Sequence, residues 1–333
     1  MNILLGMPAD EIRDSFVDTA AFERLNKLGN LIINQNAEPY TREGLSKALK
    51  NTDIIMTGWG YCQTLLDKSM LDGSPLKLIA HTGGSVGQIL DMNVYDTDVN
   101  VISGNYYYAE SVAEGVLAYM LFMLRKMDFY SGNLKSGVWL EGPDSRTEGI
   151  LDQTVGIVSV STISKILMQM AKPFRMKFKV FSTRPDERLA KELGFSYAGL
   201  DEIFETCKIV SVHTALNEHT RHMIGKDLFA KLQDDSVFIN TSRGAILDET
   251  ALIEALKKNR FRALLDVYEV EPLPKDSPLL KLDNLTAFPH QAGPTTDRRP
   301  RITHAIIDDI EKFIDGKKME NIITKEVAQK MTK

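Results

Sequence analysis

Short apolar runs alternate with stretches of helical spacing along almost the whole chain, and this alternation restricts the fold more than any other feature. One series of runs lies at residues 2–5, 31–34, 53–57, 77–81 and 100–103. A second lies at 154–160, 177–181, 208–213, 236–240, 263–267 and 285–288. Between them, residues 41–50, 226–232 and 248–258 carry apolar side chains at helical spacing. Strands that alternate with helices pair in parallel and bury both faces of their sheet under those helices. The expected class is α/β with parallel sheets. At 333 residues there is room for two domains.

One helical pattern, 109–130, is apolar on more than one face. A helix of that kind is expected at an interface between domains or subunits. A polar stretch rich in Gly and Ser, 131–149, follows it and precedes the second series of strands. A last helix is expected over 297–315, able to pack on either domain.

Apolar residues make up 43% and charged residues 26%, the proportions of a globular protein. The formal net charge of −5 argues against nucleic acid, which demands a dense basic face. The cluster Arg298, Arg299 and Arg301 is short and broken by Pro300, and reads as a solvated helix start. Cys62 and Cys207 are far apart and form no CxxC, which fits a reducing compartment without a disulfide framework. No run approaches the ~18 apolar residues of a membrane span. The amino terminus lacks a basic region and reads as a first strand. The expected location is cytoplasmic.

Ligands of open parallel sheets bind outside the carboxyl ends of the strands, so the residues that follow each strand matter most. They are Thr82-Gly83-Gly84-Ser85, Ser161-Thr162-Ile163-Ser164, Thr214-Ala215-Leu216, Thr241-Ser242-Arg243-Gly244, Tyr268-Glu269-Val270-Glu271-Pro272 and Pro289-His290-Gln291-Ala292-Gly293. A cation, a carboxylate and an imidazole thus sit just past strand ends. An arginine clamps a carboxylate with its planar fork. A histidine titrates near neutrality and can act as acid or base. Each has an ordinary alternative, as a loop ion pair, a solvated turn residue or a loop histidine. Their coincidence favours proton transfer on an anionic substrate. His81 also ends a strand and could line a substrate site. No histidine pair has the spacing of a metal site.

Three segments carry a resemblance. They are Ile239-Asn240-Thr241-Ser242-Arg243-Gly244, Leu265-Asp266-Val267-Tyr268-Glu269-Val270-Glu271-Pro272-Leu273-Pro274 and Pro289-His290-Gln291-Ala292-Gly293. In that order, supported by Val210-Ser211-Val212-His213 and Val112-Ala113-Glu114, they resemble the signatures of the D-isomer-specific 2-hydroxyacid dehydrogenase family. The match is best from Val210 to Gly293. The resemblance implies two Rossmann-like domains, with the cofactor domain (105–296) inserted into a discontinuous substrate domain (1–104 plus 297–333), and a homodimer. It implies hydride transfer between a nicotinamide cofactor and a small 2-oxo or D-2-hydroxy acid. Arg243 would bind the substrate carboxylate and polarise the oxo group, His290 would exchange the proton, and Glu271 would orient His290. The N–H groups of Gly83, Gly84 and Ser85 would hold the carboxylate. Around the cofactor would lie Ser161, Thr162, Ile163, Ser182, Arg184, His213, Thr214, Ala215, Thr241, Asp266, His290 and Gly293, with Asp266 on the nicotinamide carboxamide.

The family pattern breaks at two places. Its Gly-x-Gly-x-x-Gly is Ser159-Val160-Ser161-Thr162-Ile163-Ser164 here. The first glycine makes a tight turn, the second admits the pyrophosphate and the third permits close helix–strand packing. The family's ribose-binding Asp is also absent, and Phe181-Ser182-Thr183-Arg184 stands there. Loss of the acid favours NADP(H) over NAD(H), with Arg184 pairing a 2′-phosphate; the alternative is that Arg184 is a solvated loop cation. The three serines also motivate a rival expectation, a non-catalytic binding or regulatory protein that kept the fold and lost the cofactor.

Overall fold

The computed structural model describes residues 1–140 and 147–331. It divides into two compact units, Met1–Ser111 with Pro294–Lys333, and Val112–Gly293. The expected polar stretch 131–149 falls partly outside the described residues, at 141–146.

The first unit is built on strands β1 (Asn2–Leu5), β2 (Asn30–Ile33), β3 (Ile54–Thr57), β4 (Leu78–His81) and β5 (Asn100–Ser103). All are parallel, in the order β2-β1-β3-β4-β5. Helices α1 (Glu11–Phe16), α2 (Thr19–Leu28) and α3 (Arg42–Leu49) start where Asp10, Asp18 and Thr41 cap the first-turn N–H groups with their side chains. Successive strand side chains point to opposite faces, so β1 feeds two cores. Ile3 and Leu5 pack with α2, while Leu4 packs with Leu45 and Leu49 of α3.

Helix α4 (Asn105–Arg125) contains the boundary between the units. The single helix expected over 109–130 is two helices: α4 stops at Arg125, and α5 (Met127–Lys135) starts after Lys126, which has φ 49°. The reason lies in the last carbonyls of α4. Met123 O accepts from the Arg262 guanidinium and Leu124 O from the Glu148 N–H at 3.1 Å, so both are satisfied without a further helical turn.

The second unit carries β6 (Thr154–Val158), β7 (Lys177–Phe181), β8 (Phe195–Tyr197), β9 (Ile209–Val212), β10 (Val237–Asn240), β11 (Arg262–Leu265) and β12 (Leu285–Ala287). The order is β12-β11-β10-β9-β6-β7-β8, all parallel. The intervening helices are α6 (Thr162–Met170), α7 (Glu187–Leu193), α8 (Leu200–Thr206), α9 (Lys226–Lys231) and α10 (Glu249–Leu256). Strand β8 was not expected; at three residues it is too short to show a period. The run expected over 154–160 ends at Val158, because Ser159 turns the chain at φ 84°. Both sheets are doubly wound, and each reverses its strand order once, between β1 and β3 and between β6 and β9. Such reversals open a crevice at the carboxyl ends of the strands.

The chain ends with α11 (Arg299–Ile314) and α12 (Lys325–Ala328). Of the two placements open to it in the sequence, α11 takes the first unit. Ile302, Ile306, Ile307 and Ile310 form one helical face packed among Ile3, Leu5, Met56 and Ala80. No helix among the described residues is long and apolar enough to cross a membrane.

Candidate active site

In the second unit, the loops after β10, β11 and β12 bring the cation, the carboxylate and the imidazole together. His290 follows β12 and has φ 56°. Left-handed backbone is uncommon outside glycine, and histidine is among the residues that adopt it more readily. The loop after it is held by Asp266, which is 1% exposed. One Asp266 oxygen accepts the Gln291 N–H at 2.7 Å, and the other accepts the Ala292 N–H at 2.8 Å. The Tyr119 hydroxyl adds a third bond at 3.3 Å. Burial raises the Asp266 pKa, against the pull of these two backbone N–H groups and of His290. Sequence reading assigned Asp266 to the cofactor; the anchoring of the 290–292 backbone was not foreseen, nor was Tyr119. The signal for Tyr119 is weak, one aromatic among several on an apolar helix.

His290 Nδ1 lies 2.8 Å from Glu271 Oε2. Glu271 is itself oriented, since its other oxygen accepts the Tyr268 N–H at 3.0 Å. The Tyr268 hydroxyl donates to Phe288 O at 2.8 Å, tying the loop of Glu271 to that of His290. Burial pushes the Tyr268 phenol up to about 12, so it stays a neutral donor. With Nδ1 facing a carboxylate, the tautomer is fixed, and Nε2 is left to exchange a proton.

Arg243 follows β10 on a loop that glycine makes possible. A Cβ on Gly244 would fall 1.8 Å from the carbonyl carbon of Tyr268. The Arg243 loop can therefore press against the backbone that leads to Glu271. Arg243 is partly buried, and its Nη1 donates to Ser242 O at 2.7 Å. Burial lowers its pKa and the charge of Glu271 opposes that shift; an arginine stays protonated regardless.

At the reversal between β6 and β9, the three serines build a cap. Ser161 Oγ accepts the Ser164 N–H at 3.1 Å, and Ser164 Oγ accepts the Ser161 N–H at 2.8 Å, a capping box on α6. Ser164 Oγ also donates toward Ser159 O at 3.2 Å. The fully buried Ser164 thus stitches the turn from inside. The N–H groups of Thr162 and Ile163, in the first turn of α6, have no intrahelical partner and suit an anion. Two polar atoms at neighbouring strand ends are buried without a partner among the described residues, His213 Nδ1 and Thr241 Oγ1. His213 Nε2 contacts Ser211 Oγ at 2.9 Å, and burial lowers its pKa to about 4, so it is neutral. Thr214, Ala215 and Gly293 are half-buried around the same strand ends. Unsatisfied buried groups, a helix N-terminus and an accessible turn fit a dinucleotide. After β7, Ser182 Oγ accepts the Arg184 N–H at 3.1 Å. The next acid along the chain, Asp186, caps α7 instead. Gly83, Gly84 and Ser85 lie in the first unit, on the turn after β4. Among the described residues, no group of three or more His, Cys, Asp or Glu could hold a metal ion.

A helix N-terminus at the strand reversal of a doubly wound sheet, beside an oriented imidazole and an arginine, characterises a dinucleotide-dependent oxidoreductase. Residues 117–292 match the family described as D-isomer specific 2-hydroxyacid dehydrogenase, NAD binding domain, and the chain belongs to this family. It is 30% identical over 307 residues to glyoxylate/hydroxypyruvate reductase B of Escherichia fergusonii, covering 88% of this chain and 91% of that protein. It is 29% identical over 310 residues to D-3-phosphoglycerate dehydrogenase of Methanocaldococcus jannaschii. That match covers 91% of this chain, which spans only 57% of that relative's length. Among solved structures, an acyclic imino acid reductase in complex with NADPH and D-Arg superposes with a TM-score of 0.79 at 25% identity, over 97% of this chain and 100% of that one. The rival expectation of a non-catalytic protein finds no support in these comparisons.

Proposed function

We propose that the protein reduces a small 2-oxo acid to the D-2-hydroxy acid, or runs the reverse, at the loops after β10, β11 and β12. The observation that carries this reading is the chain of contacts from Tyr268 through Glu271 to His290, which leaves Nε2 as the only proton-exchanging atom of the ring. Arg243 pairs with the carboxylate of the substrate and polarises its oxo group. His290 hands the Nε2 proton to the oxo oxygen as negative charge develops there, and Glu271 balances the imidazolium beforehand. A bound nicotinamide supplies the hydride to C2. Thr162 and Ile163, with Ser161, would hold the pyrophosphate, and His213, Thr214, Ala215, Thr241, Asp266 and Gly293 would line the rest of the cofactor. In the first unit, the turn Gly83-Gly84-Ser85 holds a carboxylate with its N–H groups.

The cofactor assigned is NADP(H) in preference to NAD(H). The support is the absent acid at the end of β7 and Arg184, exposed and without an ion-pair partner among the described residues. The relatives' names support small 2-oxo and 2-hydroxy acids as substrates. The protein is assigned to the cytoplasm, on two free cysteines, one buried and one partly so. It is assigned as a homodimer. Helix α5 has no buried residue, and Leu134 and Trp139 are 57% and 73% exposed; an apolar patch of that kind marks an interface.

Calorimetric titration with NADH and NADPH, followed by turnover of glyoxylate or hydroxypyruvate, tests the proposal. NADPH is expected to bind in the micromolar range and more tightly than NADH. His290→Ala is expected to lower kcat by about 10²–10⁴-fold with the melting temperature unchanged, since the ring is half-exposed. Undiminished turnover in that variant, or no binding of either nucleotide at millimolar concentration, sinks the assignment.

A further inference from the structure

We infer that His81 is a ligand for the substrate carboxylate, a neutral imidazole N–H donating from Nε2 to an acid held at the Gly83–Gly84 turn. The inference rests on the reading of that turn as the carboxylate site. His81 is the last residue of β4, where ligands of such sheets collect. Its ring is fully buried. Nδ1 lies 3.0 Å from the hydroxyl of Thr57, its register partner on β3. Nε2 is buried with no hydrogen-bond partner among the described residues.

The ring lies against the turn itself. A Cβ on Gly83 would fall 2.2 Å from His81 Nε2. Glycine at position 83 therefore makes room for the imidazole, and any other residue would expel it. The turn is fixed from outside, as Ser103 Oγ donates to Gly84 O at 2.7 Å and the Gly104 N–H donates to His81 O at 3.0 Å. The N–H groups of Gly83 and Gly84 have no partner among the described residues. Gly83 N–H, Gly84 N–H and His81 Nε2 thus all lack a partner among the described residues.

Burying a polar atom without a partner costs free energy, and native proteins rarely leave such groups except where something arrives to pair them. An apolar side chain would fill the position at no such cost. Burial lowers the His81 pKa to about 3, so the ring is neutral and carries a single N–H. The Thr57 hydroxyl can donate to Nδ1, which places that hydrogen on Nε2. A carboxylate offers about four acceptor sites, enough for two glycine N–H groups and one imidazole N–H.

The test is NMR of the intact protein labelled with 15N-histidine, in saturating NADPH, titrated with oxamate. His81→Gln serves to assign the His81 resonances. The expected result is a neutral Nε2–H tautomer whose Nε2 resonance moves as oxamate binds. In calorimetry, His81→Leu is expected to weaken oxamate about tenfold or more, while His81→Gln, which keeps an N–H of similar reach, weakens it less. Oxamate that binds without moving the His81 resonance, or a ring carrying its hydrogen on Nδ1, overturns the role of His81 and leaves the proposed function standing. Oxamate that fails to bind the NADPH-loaded protein overturns both.

Discussion

Ser159 has φ 84°, where a Cβ is unfavourable and glycine is at ease. Strain of this kind costs about 1–3 kcal/mol, and a glycine would return part of that in lost chain freedom. The net expectation is that Ser159→Gly stabilises the protein by about 1 kcal/mol and tightens NADPH binding. Urea denaturation and calorimetry check it; a lowered urea midpoint would show that the hydroxyl matters more than the backbone. The serine-for-glycine changes were legible in the sequence, but their consequence was not. Three small polar residues read as damage to a turn. In the folded chain, Ser161 and Ser164 cap α6 reciprocally, and Ser164 also reaches back to Ser159 O. That arrangement depends on side-chain directions that spacing alone does not give.

At the level of elements, strands were the most legible, because buried parallel strands are short continuous apolar runs bounded by turns. The helical stretches expected over 41–50 and 248–258 contain α3 and α10, whose first turns Thr41 and Asp248 cap, whereas α1 and α2 were not read from the spacing of apolar residues. The break at Lys126 was hidden, since the groups that satisfy Met123 O and Leu124 O come from Arg262 and Glu148, far along the chain. The break bears on the proposed dimer. It gives the apolar residues of α5 their own axis, with Met127, Leu134, Val138 and Trp139 all exposed in or just after it. Trp139→Glu together with Leu134→Glu is expected to convert the proposed dimer to a monomer in sedimentation velocity, leaving secondary structure intact. A wild-type protein that sediments as a monomer at all concentrations refutes the assignment.

At the level of the molecule, the α/β class and its parallel sheets could be read from the alternation of patterns, and two Rossmann-like domains only from the family resemblance, while the strand orders could not be read, because order depends on which crossover passes which face. The placement of α11 was equally open in the sequence. Its resolution has a consequence for how the protein is made. The core of the first unit is completed by Ile302, Ile306, Ile307 and Ile310, each at most 1% exposed, and these are synthesised only after the whole second unit. At roughly 5–20 residues per second, about ten to forty seconds separate the two segments on the ribosome. The amino-terminal residues must wait with an open apolar face while the chain between them is finished. A nascent chain stalled at residue 293 is therefore expected to be cut by protease within its first 111 residues and protected beyond them; equal protection of both would contradict this. The segment made before the second unit completes its core only after that unit has been made.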